Sequence, residues 1–157
     1  MAAKPRARRK PRTERPSASE IAPGVFVGGW KDAVGFDGAR FCVLDEMPAE
    51  TPADAGVTIY DGERDVPILS NLDRVAKLVE EAHADHRPVL VFCGHGVRRS
   101  PLAAAWYLHR SEGLPIDEAY RRIQAARPQV EHAREWIGHW EILTDAPSTT
   151  RPSKGHS

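Results

Sequence analysis

One cysteine, Cys93, and one arginine, Arg99, share a short glycine-bearing loop, and their types and spacing point to a definite chemistry. A thiolate is a strong nucleophile, and at the rim of a loop whose backbone N–H groups converge its pKa falls from about 8.5 toward about 3.5–7.5. From the far end of the loop a guanidinium offers two parallel donors to phosphate oxygens. Sulfur beneath a phosphate that is held by amides and an arginine fork is an arrangement for phosphoryl transfer to cysteine.

The elements that must position these groups lie on either side. Val89 to Phe92 is an unbroken apolar run, expected as a strand buried on both faces. Gly94 and Gly96 permit a sharp turn, and Pro101 opens an apolar helix from its first turn, where a missing N–H costs nothing. Strand, turn and helix start bring several N–H groups and the positive end of the helix dipole to one point. Gly94, His95, Gly96, Val97 and Arg98 are therefore the expected phosphate-binding residues, through their backbone. The Arg98 side chain is expected to face solvent and His95 to tune local charge.

Val57 to Tyr60 reads as a further strand, ending at Asp61-Gly-Glu-Arg-Asp65. Loops at the carboxyl ends of parallel strands gather at one edge of a sheet. If this strand runs parallel to Val89–Phe92, Asp61 shares an edge with Cys93. Taken alone, Asp61 before Gly62 is a turn former; beside a nucleophile it is a candidate proton donor, with Asp65 as the alternative.

Elsewhere, Ile21 to Trp30 reads as two short strands around a Pro-Gly turn, Asp32–Val34 as a short helix, Arg40–Leu44 as a strand and Pro48–Ala55 as a loop. Ser70 or Asn71 is expected to cap a helix with Leu72, Val75, Leu78, Val79 and Ala82 inward, stopped at His86-Arg-Pro88. Leu102–Arg110 is a central helix ended by Gly113, and Asp117 caps another that ends at Arg127-Pro128. Trp136, Ile137, Trp140 and Leu143 follow helical spacing in a last helix, its tryptophans read as core. The alternation predicts an α/β fold with a small, mostly parallel central sheet flanked by helices.

The 157 residues suit one domain, placed at residues 20–145 between a disordered basic tail (1–19) and a second disordered tail (146–157). The basic tail has as alternatives a docking arm for an acidic partner and an arginine-rich transit peptide. Lys plus Arg balances Asp plus Glu at 22 each, so no global field favours nucleic acid or membrane. No run approaches the ~20 apolar residues that span a bilayer, and the start lacks the apolar core of a signal peptide, so a cytoplasmic protein is expected. Cys42 and Cys93 lack the spacing of a zinc site or disulfide framework. Cys42 reads as a core thiol, or else as a partner trapping oxidised Cys93. No clustered ligand set suggests a metal, and no cofactor is expected.

Cys93-Gly-His-Gly96-Val-Arg-Arg99-Ser100 resembles the C-x5-R-[S/T] signature of cysteine-based protein phosphatases, and in detail the dual-specificity branch. Ile21-Ala-Pro-Gly-Val-Phe-Val-Gly resembles the opening hairpin of that branch, and Ala119 to Pro128 a matching later segment. Phe92 departs from the pattern, which usually has histidine before the cysteine. The resemblance implies a protein tyrosine phosphatase-like fold, with Cys93 as nucleophile, Arg99 as phosphate clamp and Asp61 as general acid. Ser100 then donates its hydroxyl hydrogen bond to the sulfur. The implied substrates are phosphotyrosine and phosphoserine or phosphothreonine proteins, hydrolysed through a phosphocysteine. Non-protein phosphates (an RNA 5′-phosphate or a phosphoinositide) and a weakly active phosphate-binding module remain alternatives, the latter because of Phe92.

Overall fold

A computed structural model describes residues 17–46 and 49–145. In chain order its elements are β1 (Ser19–Ala22), β2 (Val25–Gly29), α1 (Trp30–Val34), β3 (Ala39–Cys42), β4 (Ala55–Gly56), β5 (Tyr60–Asp61), β6 (Val66–Pro67), α2 (Leu69–Ala84), β7 (Val89–Cys93), α3 (Arg99–Glu112), α4 (Ile116–Ala126), a 3-10 turn (Ala133–Glu135) and α5 (Ile142–Asp145). The expected tails at residues 1–16 and 146–157 lie outside the described residues.

The sheet is built around β7, whose five residues are all buried. Its order is β1-β2-β7-β3-β4, with β1 antiparallel to β2 and every other pairing parallel. The mostly parallel sheet expected from the sequence is present. Residues alternate between its faces. Val89, Val91 and Cys93 enter the larger core with Val25, Val27, Ala39, Phe41 and the inner faces of α2, α3 and α4. Leu90 and Phe92 enter a smaller core with Ala33 of α1 and Cys42. Covering both faces is what an apolar strand requires, each of its large side chains contributing about 1.5–3 kcal/mol on burial.

Several expected boundaries move, each for a visible reason. The strand placed at Val57–Tyr60 is not a strand of the central sheet: Ala55 and Gly56 pair with Phe41 and Cys42, the chain then leaves that sheet, and Tyr60–Asp61 pairs antiparallel with Val66–Pro67 in a separate two-stranded sheet. Val57 and Ile59 still point into the core, which produces the alternation. Their segment is fastened by loop contacts, Asn71 Nδ2 donating to the Thr58 carbonyl at 2.7 Å and Ile68 N to that of Ile59 at 2.9 Å. Asn71 is thus a crosslink inside α2, whose N-cap is Ile68. Pro115, rather than Asp117, precedes α4, because the Asp117 carboxylate is engaged by His132 and Arg134. The single helix expected over Trp136–Leu143 is instead a 3-10 turn, a run of turns and the short α5. Gly138 interrupts it by donating its N–H to Asp65 Oδ2 at 2.8 Å. Gly113 ends α3 in the left-handed conformation, φ 72°, as expected of glycine there.

Candidate active site

β7 ends on Cys93 and α3 begins at Arg99, so residues 94–98 must reverse the chain at the carboxyl edge of the sheet. Gly96 takes φ 72°, and a Cβ there would lie 2.6 Å from Arg127 Nη2 and 2.8 Å from the Gly28 carbonyl carbon. Only glycine fits both the conformation and the space.

The carbonyls of this loop are all engaged, four of them by groups on other segments and that of Arg98 by the first turn of α3. Gly94 O accepts from Trp30 N at 3.1 Å, Val97 O from Glu131 N at 2.9 Å and Arg98 O from Leu102 N at 3.2 Å. Arg127 takes the two between them, its Nη2 donating to His95 O at 3.1 Å and its Nε to Gly96 O at 2.8 Å. No peptide is cis among the described residues, and a planar trans peptide points the next N–H opposite its C=O. Each of these peptides therefore points the N–H of the following residue, His95 to Arg99, opposite the donor that holds its carbonyl.

Arg127 is 2% exposed, and its Nη1 also donates to Ser17 O at 2.9 Å and Ser19 Oγ at 3.0 Å. Burial pulls its pKa below the usual value, while Asp32 and Cys93 oppose that pull. The sequence reading saw in Arg127-Pro128 only a helix stop. The same guanidinium ties Ser17–Ser19 to the loop.

Cys93 is 4% exposed. Its Sγ lies 3.4 Å from the donating Ser100 N and 3.3 Å from Ser100 Oγ, and that hydroxyl also donates to Gly28 O at 3.1 Å. The hydroxyl that the family resemblance assigns to the sulfur is thus within hydrogen-bond distance of both Cys93 Sγ and Gly28 O. Phe92 packs on the other face, edge-on to Trp30 with centroids 6.3 Å apart, and brings no polar group to the loop. Cys42 pairs with Phe92 across β3 and β7 and shares its face, whereas Cys93 faces the opposite core. Alternation thus argues against a Cys42–Cys93 disulfide, and burial pushes the Cys42 thiol up.

Arg99 reaches a partner the sequence did not indicate. Its Nε and Nη2 donate to Asp45 Oδ1 at 3.1 Å and Oδ2 at 2.9 Å. Its guanidinium lies 5.4 Å from the Tyr60 ring centroid and 5.7 Å from that of Trp136. Trp136, read as core, packs half-buried against the main core and also borders Arg99; Arg98 lies over it too, at 5.9 Å, while pairing with Glu131 at 2.9 Å. Arg98 is exposed, as expected, and so is His95.

The two aspartates do different work. Asp65 has φ 58° and is stapled, its Oδ1 accepting from Tyr60 Oη at 2.6 Å and its Oδ2 from Gly138 N at 2.8 Å. These bonds hold its carboxyl below the usual carboxylate range. Asp61 Oδ1 accepts from Glu63 N at 3.0 Å and Arg64 N at 3.2 Å, and Oδ2 has the Arg64 guanidinium at 3.9 Å. Tyr60, adjoining Asp61, touches Arg99, which ties the aspartate loop to the Cys93 loop.

Cys93 thus ends the central strand of a mostly parallel α/β sheet, at its carboxyl edge, and a glycine-bearing loop joins it to α3. The model of the dual specificity phosphatase catalytic domain matches residues 45–146, and the chain belongs to that family. Dual specificity protein phosphatase 12 of Rattus norvegicus is 31% identical over 127 residues, 73% of this chain and 37% of the rat protein. The Homo sapiens protein of the same name is 30% identical over 125 residues, 71% of this chain and 37% of its own. The chain therefore spans little more than a third of these relatives. Human DUSP28 superimposes with a TM-score of 0.64 at 24% identity, covering 78% of this chain and 93% of that one. PTPMT1 does so with 0.64 at 17% identity, covering 82% and 92%. At these identities the likeness is one of fold.

Proposed function

We propose that the protein hydrolyses phosphate monoesters on phosphotyrosine and phosphoserine or phosphothreonine proteins, through a phosphocysteine intermediate. The observation that carries this reading is the fastening of the carbonyls of residues 94–97 by Trp30, Arg127 and Glu131 in the loop that follows Cys93. Amides fixed in this way need no reorganisation when charge builds on the equatorial oxygens of a phosphoryl group. The Cys93 thiolate attacks phosphorus in line, forming the S–P bond as the ester P–O bond breaks. Asp61, as the general acid, gives a proton to the departing oxygen, since an alkoxide leaves poorly without one. In the second step the Asp61 carboxylate takes a proton from water as that water attacks phosphorus and sulfur departs.

Ser100 has a single hydroxyl proton and two acceptors in reach. With a Cys93 thiol it donates to Gly28 O. With a thiolate, at the start and at the end of turnover, donation to Sγ stabilises the charge. Reducing, cytoplasmic surroundings suit such a thiolate.

A second reading, a phosphate-binding module with little turnover, draws on the engagement of Arg99 by Asp45 and on Phe92. Wild type, Cys93→Ser and Asp61→Asn assayed on phenyl phosphate and on phosphotyrosyl and phosphoseryl peptides separate the two. Turnover in the wild type, lost in Cys93→Ser, supports the enzyme; turnover that survives in Cys93→Ser rejects the phosphocysteine.

A further inference from the structure

Arg99 is held from three segments at once. Asp45, after β3, takes the side edge of its guanidinium through both carboxylate oxygens, at 3.1 and 2.9 Å. Tyr60 of β5 and Trp136 lie within 5.4 and 5.7 Å of it. Asp45 is itself anchored, since Thr58 Oγ1 donates to its carbonyl at 3.2 Å. The two side chains are 26% and 48% exposed, a setting in which an ion pair is weak and exchanges readily.

A phosphate dianion entering the Cys93 loop needs the donors that Asp45 now uses, and it meets the carboxylate's negative charge as it approaches. We propose that Asp45 is a positioning residue that keeps Arg99 in its aromatic slot and yields the fork to the incoming phosphate, so that substrate binding is an exchange of one anion for another. Asp45 thereby sets phosphate affinity: it orders the guanidinium in the free protein, and its displacement lowers the net gain on binding. This rests on the proposal that the Cys93 loop binds the phosphate of a substrate.

The test is calorimetric titration of inorganic phosphate into wild type, Asp45→Asn and Asp45→Glu, with thermal unfolding to confirm that each variant folds. Removing the competing charge in Asp45→Asn is expected to tighten phosphate binding about two- to fivefold, the factor an exposed ion pair supports. Asp45→Glu, which keeps the competitor, is expected to stay within about twofold of wild type. Phosphate binding that is unchanged or weaker in folded Asp45→Asn overturns the exchange. Binding needs no turnover, so this result is independent of whether wild type hydrolyses phenyl phosphate, which tests the enzymatic reading.

Discussion

Arg127 Nε donates to the carbonyl of Gly96 at 2.8 Å, and a Cβ on Gly96 would lie 2.6 Å from Nη2 of the same guanidinium. The loop glycine and the buried arginine are therefore fitted to each other, and the conformation of the loop depends on both. Arg127→Met removes the donors to His95 O and Gly96 O and leaves them buried without partners, at about 1–3 kcal/mol each. With the peptides free to rotate, kcat/KM on phenyl phosphate is expected to fall about a hundredfold or more, comparable to the loss of an oxyanion donor. Arg127→Lys keeps the charge yet cannot span both carbonyls, so its activity should stay well below wild type. Activity near wild type in Arg127→Met, measured on folded protein, would show that the carbonyls are held by other means.

Asp61 and Asp65 are separable by kinetics. Asp65 is expected to be structural, because both its oxygens are engaged and its bonds favour the charged form. Asp61→Asn should reduce kcat by about 10²–10⁴ on an alkyl phosphate and by less on an aryl ester with a good leaving group, while abolishing the basic limb of the pH profile. Asp65→Asn should keep that limb. The reverse pattern reassigns the acid.

Stability should fall with acid in two windows. His132 is buried, stacks on Tyr120 with centroids 4.1 Å apart and accepts Arg134 N on Nδ1, and burial lowers its pKa from 6.5. The unfolded chain therefore binds this proton more readily, so the contribution is present above about pH 6.5 and lost as pH falls from there through the folded value. Asp65, lowered from 3.8, contributes above about pH 4 and loses that contribution as pH falls through its depressed folded value. Thermal unfolding between pH 8 and pH 3 checks both. His132→Gln should remove the upper inflection and Asp65→Asn the lower one.

Particular residues show why the sequence disclosed some of this and not the rest. Cys93, its loop glycines and Ser100 were legible because an apolar strand, a turn and a helix start impose a contiguous pattern. Arg127 was not, since a basic residue at a helix end ordinarily faces solvent and complements the dipole. Asp45 lies on another loop, and its pairing with Arg99 exists only through the fold. Trp136, Ile137, Trp140 and Leu143 have helical spacing because consecutive turns bury the same positions that a helix would. Val57 and Ile59 alternate like a paired strand although the carbonyls of Thr58 and Ile59 are taken by Asn71 Nδ2 and Ile68 N rather than by a neighbouring strand of the central sheet.

Trp136 supplies the last prediction. Its ring meets Tyr60 edge-on at 5.2 Å, and Arg98 and Arg99 lie over it, so it walls the slot in which the Arg99 guanidinium rests. A cation over an aromatic face is worth about 0.5–1 kcal/mol at a partly exposed site. Trp136→Leu fills part of the space without a π face, which frees Arg99 to sample other rotamers and raises the entropy lost when phosphate fixes it. KM for phenyl phosphate should rise about two- to fivefold with a smaller change in kcat, and Trp136→Phe should recover most of the difference. An unaltered KM in Trp136→Leu would mean that Asp45 alone keeps Arg99 in place.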